Sequence, residues 1–290
     1  MQDDTIFTPG AAPFELISEP APDLNLSSSP TEPPPFNPPE NSTLLPARWS
    51  QLADVLSSAN TFHSAIDEFI TQSPACIDIK RRVTILQNLS DTVLIIGASG
   101  TGKELLARAL HHRPASPFIA VNCAALPDTL FHSMLFGHKK GSFTGAVDDR
   151  LGAFEAAGVG TLFLDEIGDM PMHQQPALLR ALQQREITPL GATQTTKINC
   201  RIVAATNNDP RKLFREERFR EDLFARLMTF ILEIPAFYER PEDVALIARH
   251  LGADEEFADS LYSKKKEDIN KFGARAIQAY VRRYQVFGSI

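Results

Sequence analysis

Three short stretches hold residue types able to handle a phosphate group. The first is GASGTGKE, from Gly97 to Glu104. It follows the apolar run VLII and leads into LLARAL, which has the pattern of a helix. A G-x-x-x-x-G-K loop between a strand and a helix binds phosphate. Glycines let the chain curl so that backbone N–H groups surround the oxygens, the helix N-terminus adds favourable charge, and the lysine reaches the outer phosphates. Here those residues are Gly97, Ala98, Ser99, Gly100, Thr101, Gly102, Lys103 and Glu104. A Ser or Thr hydroxyl usually follows the lysine and ligates Mg²⁺. Glu104 stands there instead, so either a metal ligand has been lost or the metal is held another way.

The second stretch, TLFLDEIGDM, is an apolar strand ending in Asp165 and Glu166. An acid at the C-terminal end of a strand beside a phosphate loop can hold Mg²⁺, and the next can orient and deprotonate water. Phosphoryl transfer needs this positioning and charge neutralisation more than covalent chemistry. Alone, an Asp-Glu pair reads as a helix cap with a first-turn acid; beside the loop, catalysis is the better reading. The third stretch, RIVAATNN, ends in Thr206 and Asn207, whose polar groups would face the outermost phosphate. Alone, these two fit a turn equally well.

Positioning these residues calls for strands alternating with helices. Strands are expected at 92–96, 118–122, 161–164, 202–206 and 230–234. Helices are expected after Lys103, near 128–136, at 173–184, after Pro210, at 221–228, 242–251 and 274–284. Near-continuous apolar strands between helices indicate an α/β fold with a buried parallel sheet.

Residues 1–47 differ in composition. They hold eleven of the 21 prolines and seven acidic side chains, with no Lys or Arg. Such a segment cannot bury enough apolar surface to offset its ordering entropy, so a disordered tail is expected. From Arg48 to Ile70 apolar residues recur at helical spacing. The expected division is a tail over 1–47, a helical segment over 48–68, an α/β core over 69–235 and a helical lid over 236–290.

The net charge of −7 resides mostly in the tail, leaving no large basic surplus to bind duplex DNA. The run Lys264–Lys266 reads as a solvated helix face. No apolar run suits a membrane span and no signal segment opens the chain, so a cytoplasmic place is expected. Cys76, Cys123 and Cys200 lack metal-ligand spacing and read as reduced, buried thiols. His111 and His112 read as favourable side chains at a helix C-terminus.

The stretch GHKKGSFTGAVDD makes the likeness specific. GSFTGA is nearly the GAFTGA loop of AAA+ activators of sigma-54 RNA polymerase. PFIAVNCAALPDTL, GTLFLDEIGDMP, ATNND, RFREDLFARL and LEIPAFYER resemble the same family. The resemblance covers about residues 69–290, and its members ordinarily carry G-K-E in the phosphate loop. It implies a P-loop AAA+ fold and ATP hydrolysis with Mg²⁺ in a ring hexamer. Lys103 would bind phosphate, Asp165 the metal, and Glu166 the water. Asn122 matches the family's switch asparagine, Thr206 and Asn207 its first sensor. Arg220 and Arg226 match arginines that reach a neighbouring subunit's nucleotide; otherwise they read as surface partners of Glu221 or Asp222. Gly141, Ser142, Phe143, Thr144, Gly145 and Ala146 would form the sigma-54 contact. There the glycines permit hinge motion, Phe143 supplies an exposed apolar tip and Thr144 a polar contact.

Some positions depart from the pattern. Ser142 replaces Ala, and Met134 and Lys139 stand where the family usually has glutamates. RRYQVFGSI resembles the family's Y-x-W-P-G-N-I, and the chain stops before the second-sensor arginine. An incomplete lid without a helix-turn-helix domain is therefore expected, and no direct DNA binding by this chain. Two functions remain open: a sigma-54-remodelling ATPase, and a hydrolysis-poor subunit that binds nucleotide and modulates hexamers of an intact relative.

Overall fold

A computed structural model describes residues 65–111, 115–125 and 128–288. The expected tail and most of segment 48–68 lie outside these residues. Within 65–69 the chain forms turns rather than the end of a helix. The apolar Phe69 is buried against the core and Ile66 packs beside it, so their spacing serves a wall and not a helix face.

In chain order the elements are α1 (Pro74–Leu86), β1 (Val93–Gly97), α2 (Lys103–Ala109), β2 (Phe118–Asn122), α3 (Asp128–Phe136), α4 (Ala153–Ala157) and β3 (Thr161–Asp165). Next come α5 (Gln175–Gln184), a small hairpin of β4 (Glu186–Ile187) and β5 (Thr196–Lys197), β6 (Arg201–Thr206), α6 (Pro210–Arg215), α7 (Glu221–Leu227) and β7 (Phe230–Ile234). The helices α8 (Glu242–His250), α9 (Glu255–Phe272) and α10 (Ala274–Phe287) follow.

Five strands form a parallel sheet in the order β2-β3-β6-β1-β7. Side chains alternate across its faces, as strand geometry requires. Leu94, Leu162, Leu164, Ile202 and Ala204 join the core beneath α3, α4, α5 and α7. Val93, Ile95, Phe163, Val203 and Ala205 face α1 and α2. Arg201 is buried at the start of β6 and donates to the carbonyls of Leu86, Leu110 and Asp91. Burial pushes its guanidinium down to about 10, so it stays charged at neutral pH and ties α1, α2 and the entry to β1 together. The sheet therefore carries Gly97, Asn122, Asp165 and Thr206 to its C-terminal edge, where ligands bind in open α/β sheets.

After β7, helices α8, α9 and α10 pack around their own core of Phe237, Val244, Leu261, Ile269 and Ile277. Asp254 caps α9 by accepting from the Phe257 N–H, and α9 kinks at Lys265. Lys264 and Lys266 are exposed on that helix, as the sequence suggested. All three cysteines are free and buried.

Candidate nucleotide site

The loop between β1 and α2 turns through Gly100 (φ 72°) and Gly102 (φ 105°), left-handed angles that glycine adopts without steric cost. Lys103 opens α2 with a buried side chain. Its Nζ donates to the Gly97 carbonyl at 3.0 Å and lies 3.5 Å from Glu166 Oε1. Thr101 Oγ1 closes the turn by donating to the Ala98 carbonyl at 2.8 Å. Glu104 faces outward and pairs with Arg108 at 2.7 Å, so it is a surface residue of the helix and not part of the inner site.

Strand β3 delivers the two carboxylates. Asp165 Oδ1 accepts the Glu166 N–H at 3.0 Å, and Glu166 Oε2 accepts the Asn207 N–H at 3.0 Å. Glu166 itself is left-handed (φ 51°, ψ 47°). A non-glycine residue held there costs on the order of 1 kcal/mol or more, and such outliers gather at functional sites. Thr206 is buried, and its hydroxyl accepts from the Asn208 N–H at 3.1 Å. Lys103, Asp165, Glu166, Thr206 and Asn207 thus meet at one edge of the sheet. Cys123 reports the local charge. Its thiol is pushed up to about 12, first by burial and then by the carboxylates of Asp165, Asp169 and Glu166.

Asn122 ends β2 beside Asp165 in the strand register. Its side-chain oxygen accepts from the Ala124 and Ala125 N–H groups, at 2.9 and 3.2 Å. Glu166 is held by Lys103 and by the Asn207 N–H. Arg220 pairs with Asp222 at 2.7 Å on the surface, the plainer of its two expected roles. Arg226 is exposed and forms no ion pair among the described residues. Fully buried Gln175 was not singled out by its sequence context. It donates to the carbonyls of Met170 and Arg218 and accepts the Arg220 N–H, so it ties the arginine segment to the chain just after Glu166.

A cavity of about 440 Å³ opens beside the loop, within the size range of small-ligand sites. Phe69, Ile70, Ile247 and Leu251 give it apolar walls; His250 and Gln278 add polar groups. Sequence patterning could not reveal it, because its walls come from segments nearly 200 residues apart. Among the described residues no cluster of three or more His, Cys, Asp or Glu could hold a metal. Two adjacent carboxylates suit magnesium nonetheless, since that ion keeps several waters and takes one or two carboxylates together with substrate phosphates.

The GSFTGA loop stands apart from this site. Gly141 and Gly145 have positive φ, and no atom lies within 4 Å of where a Cβ would sit on either. Thr144 is exposed, but Phe143 is half-buried with its ring edge-on to His138 at 5.0 Å. His138 Nδ1 in turn bonds Ser133 Oγ at 2.6 Å. The expected apolar tip is therefore partly covered. At the loop's base Lys139 pairs with Asp149 at 2.9 Å.

A parallel β2-β3-β6-β1-β7 sheet with a glycine-rich loop after β1 and carboxylates at the end of β3 defines a P-loop AAA+ fold. The family described as Sigma-54 interaction domain matches residues 69–233, more than half the chain. The chain belongs to that family. It is 50% identical over 188 residues to the DNA-binding transcriptional activator HyfR of Escherichia coli, covering 64% of this chain and 28% of that protein. It is 45% identical over 235 residues to the regulatory protein AtoC of the same organism, covering 78% and 50%. The chain thus spans half or less of these relatives. A crystal structure of NtrX from Brucella abortus in complex with ADP aligns with a TM-score of 0.65 at 26% identity, covering 83% of this chain and 54% of that one. A Thermotoga maritima RuvB mutant aligns at 0.52 with 16% identity, a likeness of fold alone. Among the described residues no helix is long and apolar enough to cross a membrane.

Proposed function

We propose that this chain is an ATP-binding, ATP-hydrolysing sigma-54 interaction domain that remodels sigma-54 RNA polymerase to regulate transcription initiation, working as a ring oligomer. The observation that carries the reading is the meeting of Lys103 with Glu166 at 3.5 Å, with Asp165 next along the chain and Asn207 behind the same carboxylate. The NtrX structure that aligns over 83% of this chain contains ADP, which supports the choice of nucleotide.

In this reading the loop Gly97–Lys103 binds the phosphates and the cavity beside Phe69 takes the base. Lys103 exchanges its present acceptors for phosphate oxygens, which frees Glu166. Glu166 then orients a water molecule and takes its proton. Asp165 would hold magnesium, which neutralises phosphate charge when bound. Thr206 and Asn207 position the water side of the site. Arg220, released from Asp222, and Arg226 would serve a neighbouring copy's nucleotide. Arginines supplied in trans are worth roughly 10³–10⁵ in rate in related phosphoryl transfers. The loop from Gly141 to Ala146 would engage sigma-54, with Phe143 leaving His138 as it does so.

Steady-state ATP hydrolysis measured against protein concentration tests the proposal. Specific activity should rise steeply with concentration. Flat background turnover despite nucleotide binding would favour the hydrolysis-poor subunit instead. Thr144→Ala should keep hydrolysis while losing capture of sigma-54 in the presence of a transition-state analogue; undiminished capture would remove the loop from the account.

A further inference from the structure

The helices after β7 grip the phosphate loop directly. The Ala274 N–H, at the start of α10, donates to the Gly100 carbonyl at 2.9 Å. Arg240 Nη2, just before α8, donates to the next carbonyl, that of Thr101, also at 2.9 Å. The approach is close enough to require glycine on both sides. A Cβ on Gly100 would lie 2.3 Å from the Phe272 carbonyl oxygen, and one on Gly273 would lie 2.6 Å from the Gly100 carbonyl.

Arg240 is 1% exposed, and its guanidinium spans three segments. Nε donates to the Pro235 carbonyl at 3.0 Å, Nη1 to Asp243 Oδ2 at 3.2 Å, and Nη2 to Thr101. The Phe237 ring packs against it at 4.4 Å. Asp243 is fully buried and holds the far side. Its carboxylate accepts from Thr71 Oγ1 at 2.7 Å, the Gln72 N–H at 2.8 Å and the Ser73 N–H at 3.2 Å. Those residues follow Phe69 and Ile70, which wall the cavity. One ion pair therefore joins the phosphate loop, the cavity wall, the link after β7 and helix α8.

A buried ion pair is a poor way to gain stability, because desolvation offsets the Coulomb attraction and apolar residues of similar volume often serve as well. What a planar guanidinium adds is fixed geometry to several acceptors at once. The geometry fixed here matters for phosphate. In a trans peptide the C=O and the following N–H point in opposite directions. Drawing the carbonyls of Gly100 and Thr101 toward Ala274 and Arg240 turns the N–H groups of Thr101 and Gly102 away from those donors. The Thr101 N–H donates to the Ala98 carbonyl at 3.4 Å across the turn.

Resting on the nucleotide reading above, we infer that Arg240 and Asp243 are positioning residues for the bound nucleotide. They hold the phosphate loop and the cavity wall in fixed register with the helices after β7.

The test uses the full chain carrying spin labels at two exposed positions, Gln183→Cys in α5 and Glu267→Cys in α9, with mant-ADP as the binding probe. Arg240→Lys keeps the charge but cannot span three acceptors. It should broaden the label-to-label distance distribution without nucleotide and weaken mant-ADP at least tenfold. Thr71→Val removes one bond to Asp243 with little change in volume, and should weaken binding at least threefold. Thr71→Ser retains the hydroxyl and should stay within twofold of the parent. Should Arg240→Lys fail to fold, the Thr71 pair decides. Unchanged distances with affinity within twofold in Arg240→Lys, or equal affinities for Thr71→Val and Thr71→Ser, would overturn the inference. Absence of mant-ADP binding in the parent chain would instead sink the nucleotide reading, and the clasp would then stand or fall on the distances alone.

Discussion

Replacing Glu166 with glutamine separates binding from turnover. The side chain is about one-sixth exposed (16%) and touches two partners: Lys103 Nζ at 3.5 Å and the Asn207 N–H at 3.0 Å. Glutamine keeps the length and shape, and its amide oxygen can still accept from Asn207. The left-handed backbone at this position is as tolerable for Gln as for Glu, so the fold should persist. What disappears is the carboxylate's capacity to take a proton from water. General-base catalysis contributes about 10²–10⁴-fold, equivalent to about 3–5 kcal/mol of barrier. Lys103 also loses its counter-charge in the free protein, which makes phosphate a better partner for it. Nucleotide affinity should therefore hold or rise while hydrolysis falls at least a hundredfold. Single-turnover hydrolysis and equilibrium binding, measured on one preparation, check both halves. Turnover within threefold of the parent would show that another group activates water and would refute the role given to Glu166.

Two further predictions concern the frame around the site. Phe163 is 1% exposed on the α1–α2 side of the sheet and stacks on Phe118 at 6.0 Å. Phe163→Ala should cost about 3–5 kcal/mol in urea unfolding; a loss under 1 kcal/mol would mean that this face is loosely packed. Burial pushes the thiols of Cys123 and Cys200 up to about 12 and about 11. Folding thus favours the protonated thiols. Their contribution to stability is complete below the ordinary value of 9.0 and is lost as pH rises toward these raised values. At pH 8 a thiol-specific reagent should modify neither until urea unfolds the chain, whereas prompt labelling would show that the region opens readily.

Much of the sheet was legible from the residues because each strand is a short apolar run with punctuation at both ends. Phe118–Asn122 and Phe230–Ile234 fall where the pattern places them. Helix α1 was not anticipated, although Cys76, Ile79, Val83 and Leu86 supply a buried helical stripe. Charged residues between them dilute the signal. Helix α9 was read only at Lys264–Lys266, and its full extent was obscured for a related reason. It is highly charged, and the kink at Lys265 breaks the period between Leu261 and Ile269. At the site, the loop and the carboxylates were readable because local spacing defines them. The side-chain partners of Asn122, the half-covered Phe143, and the roles of Gln175 and Arg240 were not. Gln175 and Arg240 depend on distant segments that the fold brings alongside, whereas Asn122 and Phe143 take near neighbours in the chain through local turns that residue type alone does not specify.

We propose that a nucleoside triphosphate seats between Gly97–Lys103 and Asp165–Glu166. Calorimetric titration of the parent chain and Lys103→Ala with ATP and magnesium tests it most directly. The parent should bind saturably and the variant should lose at least a hundredfold in affinity, with the folded state preserved. Equal heats from the two proteins, or none from the parent, would contradict it.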